Sequence, residues 1–294
     1  MVQRPSKYFV LLTTIIGLFA GARVTAAVPA SPAVEVKFYL SPPQVLDTNH
    51  QPNEALRAAF QIAKEAVKKP VAIRMQFLDG PKQELHQEGW YVRFRKIQGQ
   101  EHIELTFKRR SPVDGRLDAA LAQAAREGFD AAAASDYASE LEWGYQKQTL
   151  AFSNEKRVGD AGERSLNLPA AGDARQLAAG DKMPDKLRQW KDEGWAKRIL
   201  SRACVYGPAD GWRWRGSHPD VDGEIAIEVW ALPTADRTGT EQIVEISFKK
   251  NRYDAQATAK RERLLEFLNA KGWLLKTDML KTELILERAR QPGC

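Results

Sequence analysis

Metal-binding and nucleophilic side chains are scarce in this chain, with only two cysteines and four histidines in 294 residues. His50, His86, His102 and His218 are scattered and show no spacing such as HExxH, which excludes a zinc site built on that pattern. They read as surface or packing residues. Cys204 has His218 and Asp210 within reach in sequence, but nothing local makes a nucleophile of it. No glycine-rich loop ends in GK[ST], so there is no P-loop. No repeat of fixed period runs through the chain, which argues against a solenoid or propeller. After Ala20 no apolar run approaches the roughly 20 residues that span a bilayer.

What the chain does have begins at its start. Arg4 and Lys7 precede an apolar run from Tyr8 to Ala20, followed by small residues through Ala27. That order describes a secretory signal peptide over residues 1–27, and it predicts a secreted or periplasmic product with no membrane span after cleavage. The competing reading is a membrane anchor, but Gly21 and Arg23 cut the run short. Cleavage removes Arg4, Lys7 and Arg23 and no acid, so the formal charge of +6 falls by three. The mature chain is therefore not charged like a nucleic-acid coat, and no specific nucleic-acid partner is expected. In an oxidising compartment Cys204 and Cys294 can pair; the alternative is two free thiols, and both readings stay open.

Strand-like alternation dominates the rest, and residues 34–294 read as one domain, with 154–184 a surface insertion rich in Gly, Ala, Asp and Arg. Predicted strands cover Val34–Leu40, Val71–Leu78, Tyr91–Ile97, His102–Arg109, Tyr145–Ser153, Ala203–Tyr206, Trp212–Arg215, Glu224–Leu232 and Ile243–Lys249. Helices are predicted over Asn53–Lys68, Leu117–Glu127, Asp185–Trp195 and Asp254–Ala270.

Because side chains alternate faces along a strand, each of these segments sorts into an apolar and a charged side. Val34, Val36 and Phe38 oppose Glu35 and Lys37. Arg93 and Arg95 oppose Val92 and Phe94, and Lys108 shares a face with Glu104 and Thr106. Further on, Lys147 opposes Leu150, Arg213 and Arg215 oppose the neighbouring tryptophans, and Glu228, Glu245 and Lys249 oppose Ile227, Ile246 and Phe248. A sheet with one face in water would explain each strand alone. Arginine doublets and helices that need an apolar surface to cover favour a curled sheet with its charges inside. Buried cations repel one another unless carboxylates, water or an anionic ligand offset the cost. Phosphate oxygens suit arginine and lysine, and clustered glutamates suit Mg²⁺ or Mn²⁺.

These residues resemble the CYTH, or triphosphate tunnel, superfamily. That family opens on a Glu-x-Glu-x-Lys strand, matched here by Ala33-Val34-Glu35-Val36-Lys37, and the strands bearing Arg93/Arg95, Lys108, Glu228 and Glu245 follow in the family's order. The resemblance implies an α+β fold: an eight-stranded antiparallel β-barrel, or tunnel, with a charged interior and helices packed outside. It implies that Lys37, Arg93, Arg95, Lys108, Lys147, Arg213, Arg215 and Lys249 bind the phosphates of a triphosphate or polyphosphate. It implies also that Glu35, Glu228 and Glu245 hold Mg²⁺ or Mn²⁺ and serve catalysis as a metal-dependent triphosphatase. Ala33 stands where the family has its first glutamate, which leaves a non-catalytic secreted polyanion-binding module as the alternative, and a structural domain with merely solvated charges as a third class.

Overall fold

The computed structural model describes residues 31–129, 136–160, 162–291 and Cys294; the leader 1–27 lies outside them. Among these described residues ten strands follow one another as β1 Ala33–Leu40, β2 Val71–Asp79, β3 Trp90–Ile97, β4 His102–Pro112, β5 Ala138–Trp143, β6 Gln148–Asp160, β7 Cys204–His218, β8 Val221–Pro233, β9 Thr240–Lys250 and β10 Leu274–Leu275. Nine of them close a ring in the order β1-β5-β6-β4-β3-β2-β7-β8-β9 and back to β1. The seam is an antiparallel ladder from Val34↔Lys250 to Leu40↔Val244. β10 lies outside the ring and pairs with Tyr39 and Leu40, the part of β1 that β5 does not reach.

The barrel corrects the eight-stranded, fully antiparallel expectation. The extra strand is β5, and it runs parallel to β1 in the register Ala33↔Glu140, Val34↔Leu141, Glu35↔Glu142. It is six residues long and lies just before the strand expected at Tyr145–Ser153, in a stretch to which the sequence reading assigned no element. The actual arrangement is β5, a turn through Tyr145–Lys147, and then β6 from Gln148. Asn154–Asp160, placed in the insertion by composition, instead continue β6 and pair with the start of β4. The insertion also contains a helix, Ala171–Ala179, whose Ala174 and Ala178 are buried.

Alternation decides what faces where. Val34, Val36, Phe38 and Leu40 point outward and are fully buried in one cluster with Leu264 and Leu268 of the helix Ala255–Ala270. Each such side chain contributes about 1.5–3 kcal/mol on burial. Asp254 caps that helix by accepting a hydrogen bond from the Ala257 N–H at 2.9 Å. The predicted helix over Asn53–Lys68 breaks into Glu54–Ala59 and Lys64–Val67, with Gln61 at φ 49°. The break buries Phe60 and lets its carbonyl accept from Ser217 N–H at the end of β7.

Not every helix lies outside. Ile73, Met75, Phe77, Trp230 and Leu232 face the interior and form a second apolar cluster with Leu284, Ile285 and Leu286 of the helix Lys281–Arg288. That C-terminal helix therefore packs into one end of the barrel. Gly211 makes room for Trp230, since a Cβ there would lie 2.6 Å from the indole. A disulfide joins Cys294, beyond this helix, to Cys204 at the start of β7, with the Cα atoms 5.5 Å apart. Among the described residues no helix is long and apolar enough to cross a membrane.

Candidate functional site: an ionic barrel lumen

The inward positions left free by the apolar plug carry full charges, and they line a cavity of about 420 Å³. They gather into three groups. The first is built on β1, β5 and β4. Lys37 Nζ lies 2.7 Å from Glu35 and 3.7 Å from Glu142. Glu142 is 5% exposed and also accepts from Lys108 Nζ at 2.5 Å and from Arg110 at 2.9 and 3.2 Å. Lys249, at the open end, reaches Glu140 at 2.7 Å and Glu35 at 3.6 Å. Oxygens of Glu35, Glu140 and Glu142 lie within 4.8 Å of one another.

The electrostatics follow from this crowding. Burial pushes the Glu35 carboxyl up, but Lys37 and Lys249 outweigh it and bring it to about 2. Burial acts in the same sense on Glu142, and Arg110, Lys108 and Lys37 together hold it well below the usual carboxylate range. Lys108 goes the other way: desolvation pulls it down to about 8 although Glu142 opposes the shift.

The second group stands on β7, β8, β9 and the C-terminal helix, with Tyr39 of β1 beside it. Arg213 donates to Glu228 Oε1 at 2.8 and 2.6 Å, and Trp230 Nε1 donates to Glu228 Oε2 at 2.8 Å. Lys281 Nζ bridges Glu228 at 2.7 Å and Glu245 at 3.4 Å, while the Tyr39 hydroxyl donates to Glu245 at 3.1 Å. The third group, on β3 and β4, holds Arg95 against Glu104 at 2.5 Å. Among the described residues Arg93 beside it has only Thr106 Oγ1, at 3.2 Å, and its buried Nε has no hydrogen-bond partner there. Desolvation, with Arg95 next to it, brings Arg93 to about 9. A guanidinium stays protonated at neutral pH, so Arg93 is a partly buried cation short of an acceptor.

The structure thus places Glu35, Lys37, Arg93, Arg95, Lys108, Arg213, Glu228, Glu245 and Lys249 along one lumen. Three expectations change. Arg215 lies at an exposed stretch of β7, 57% exposed and paired with Glu224, and does not line the lumen. Lys147 is exposed in the turn before β6, at the rim of a neighbouring cavity. Glu35 does not join Glu228 and Glu245: on the β1–β9 ladder it faces Lys249, while Glu245 faces Tyr39, four residues or roughly 13 Å along the strand. Its carboxylate neighbours are Glu140 and Glu142.

Those two glutamates, with Arg110 and Lys281, escaped the sequence reading. The alternation Glu140-Leu141-Glu142 was a signal for β5, overshadowed by its brevity. Arg110 extends the face of Lys108 by one more strand step. Nothing local marks Lys281, which reaches the lumen only through the docking of its helix.

Fold and site together define a closed β-barrel with an ion-paired interior. No family model and no curated protein matches the chain. Among solved structures it is similar to a candidate adenylate cyclase from Bacillus halodurans, at 12% identity and a TM-score of 0.48, covering 86% of this chain and 96% of the other. It is similar also to HpAC1 from Hippeastrum, a candidate adenylyl cyclase described as having a dominant triphosphatase activity, at 15% identity, TM-score 0.46 and coverage of 88% and 97%. The PH1819 protein from Pyrococcus horikoshii matches at 13% identity, TM-score 0.40 and coverage of 87% and 98%. Likeness of this degree lends no weight to a chemical assignment, which rests on the residues themselves.

Proposed function

We propose that the lumen binds the phosphate chain of a triphosphate or polyphosphate and, with a divalent cation, hydrolyses a terminal anhydride. The observation that carries this reading is Arg93, a lumen-facing guanidinium with an unpartnered buried Nε beside the already paired Arg95. An anionic oxygen is the group that would satisfy it.

The carboxylates explain why a cation belongs with the anion. Nearly every other lumen cation is held by a glutamate, so a bare polyanion would have to compete with Glu35, Glu142 and Glu228 for them. The Glu35, Glu140 and Glu142 oxygens are close enough to suit Mg²⁺ or Mn²⁺. Such an ion would supply positive charge to offset the charge of the phosphate chain and of the leaving group, and would help orient water. Lys37, Lys108 and Arg110, released from their carboxylates, would hold the non-bridging oxygens. Arg93 and Arg95 would hold the far end of the chain. In the reaction a water oxygen bonds to the terminal phosphorus, the bridging P–O bond breaks with its electrons going to the leaving phosphate, and the water protons pass to solvent and product. The rate would come from positioning and charge neutralisation.

A second reading, capture of a polyanion without turnover, is favoured by Ala33, which puts a methyl group next to Glu140 in the register. Orthophosphate release from tripolyphosphate with Mg²⁺ or Mn²⁺ separates the two. Turnover that disappears in Glu35→Ala/Glu140→Ala supports the enzyme. Thermal stabilisation by tripolyphosphate that needs Arg93 and Arg95 but no metal, with no phosphate released, supports capture. Absence of both sinks the lumen as an anion site. Export belongs to this proposal: the leader-like start and a disulfide both suit a secreted or periplasmic protein.

A further inference from the structure

β5 is the shortest strand of the ring, and the inward aim of Glu140 and Glu142 depends on its register. It pairs with β1 only from Ala33↔Glu140 to Val36↔Trp143. A slip of one residue would turn Leu141 and Trp143 inward and both glutamates out. The turn that ends β5 is gripped from two sides, both outside the lumen. Arg261 Nη2, on the helix Ala255–Ala270, donates to the carbonyls of Gly144 and Tyr145 at 2.9 and 2.6 Å. Its guanidinium also lies 4.4 Å from the centre of the Trp143 ring. Asp278, just ahead of the C-terminal helix, accepts from the Gln146 N–H with both carboxylate oxygens, at 3.0 and 2.8 Å. Gly144 makes room for it, since a Cβ there would collide with Asp278 Oδ1. Arg261 is buried, and its acidic neighbour Glu262 is half exposed. An apolar side chain could pack Trp143 against the helix without desolvating a charge. What the arginine adds is a directed donor on the turn.

We propose that Arg261 and Asp278 are positioning residues for the candidate cation site: their grip on the β5–β6 turn fixes the register that presents Glu140 and Glu142 to Glu35. This deepens the function proposed above and rests on its cation. Neither residue touches the cation or the phosphate chain; both act through β5. Glu142 stands two residues before Gly144, so an axial shift of the turn passes along extended backbone to the carboxylate. In the register observed, oxygens of the three glutamates lie within 4.8 Å of one another. Mg²⁺ demands oxygen ligands at about 2.0–2.1 Å in near-ideal geometry, which leaves little tolerance for a displaced strand. Groups that orient metal ligands from outside typically change metal affinity by about 10–100-fold.

The test titrates Mn²⁺ alone into the mature full chain and reads free ion by EPR, at a temperature where circular dichroism shows every variant folded. Asp278→Ala, Gly144→Ala and Arg261→Met should each weaken Mn²⁺ binding by about 10–100-fold. Gly144→Ala removes no charge and no donor, so it acts by pushing Asp278 off the turn. The Gly144→Ala/Asp278→Ala double variant should therefore bind no more weakly than either single one. Asp278→Asn keeps a carbonyl oxygen for the Gln146 N–H and should hold affinity within about threefold of the wild-type chain. Melting temperatures that fall while Mn²⁺ affinity stays at the wild-type value assign the grip to stability alone and overturn the proposal, as does a double variant whose losses add. A wild-type chain that binds no Mn²⁺ overturns the cation reading itself, a failure distinct from that of the positioning residues. Should Arg261→Met not fold, Gly144→Ala, in a half-buried turn, decides the matter.

Discussion

Replacing Glu142 by glutamine puts the ionic account of the lumen at risk most directly. The carboxylate receives Lys108 at 2.5 Å and Arg110 at 2.9 Å, with Lys37 at 3.7 Å, and it is nearly inaccessible to water. Glutamine keeps the shape but removes the charge, so three cations in a low-dielectric space lose their common partner. Unit charges about 4 Å apart interact by roughly 4 kcal/mol at an effective dielectric of about 20. Loss of one member of a buried pair costs about 3–5 kcal/mol. For a chain of this size that corresponds to a fall in Tm of roughly 6–20 °C. Lys108, already at about 8, drops further because the opposing pull of Glu142 is gone, and it is largely neutral at pH 8. Calorimetry measures the first effect, and NMR of the lysine side chains the second. Tripolyphosphate should then restore more stability to the variant than to the wild-type chain, because it supplies the missing charge. A Tm change under about 2 °C, or a Lys108 that titrates as before, would refute the coupling.

Other outcomes follow from the same geometry. The folded-state carboxyls of Glu35, Glu142 and Glu228 are all depressed, so their contribution is complete above the ordinary carboxylate value of 4.5 and is lost as pH falls toward 2; urea midpoints should drop steeply across that window, and a flat profile between pH 5 and 3 would contradict it. Replacing both Cys204 and Cys294 by serine removes a link across 90 residues and should cost about 2–4 kcal/mol in a denaturation curve under non-reducing conditions. Arg93→Ala should weaken tripolyphosphate binding by tenfold or more in calorimetric titration, whereas Arg215→Ala, at an exposed position, should leave it within twofold. Lys281→Met deprives Glu228 and Glu245 of a shared cation at 2.7 and 3.4 Å and should raise the Glu228 carboxyl, which Lys281 helps to depress, as followed by NMR; an unchanged Glu228 titration would mean the C-terminal helix does not dock as described.

Much of the barrel was legible because a strand's side chains alternate and that rule needs only neighbours in sequence. Val34, Val36 and Phe38 outside with Glu35 and Lys37 inside, or Arg93 and Arg95 facing in together, required nothing else. The same rule failed at Arg215, which has the right parity but stands beyond the part of β7 that faces the lumen. It failed again at Lys147, where the chain is turning rather than extended.

Which charges meet is another kind of information. Pairing two strands across the ring depends on register and closure, and neither is written in local alternation. The parallel placement of β5 beside β1 gave Glu35 the neighbours Glu140 and Glu142 and moved it away from Glu228 and Glu245. The docking of the helix Lys281–Arg288 set a lysine between two glutamates more than thirty residues upstream. Local sequence thus determined which face of each strand would carry charge. Only the closed chain decided the partners, because ion pairs form across distances that the backbone must first be folded to remove.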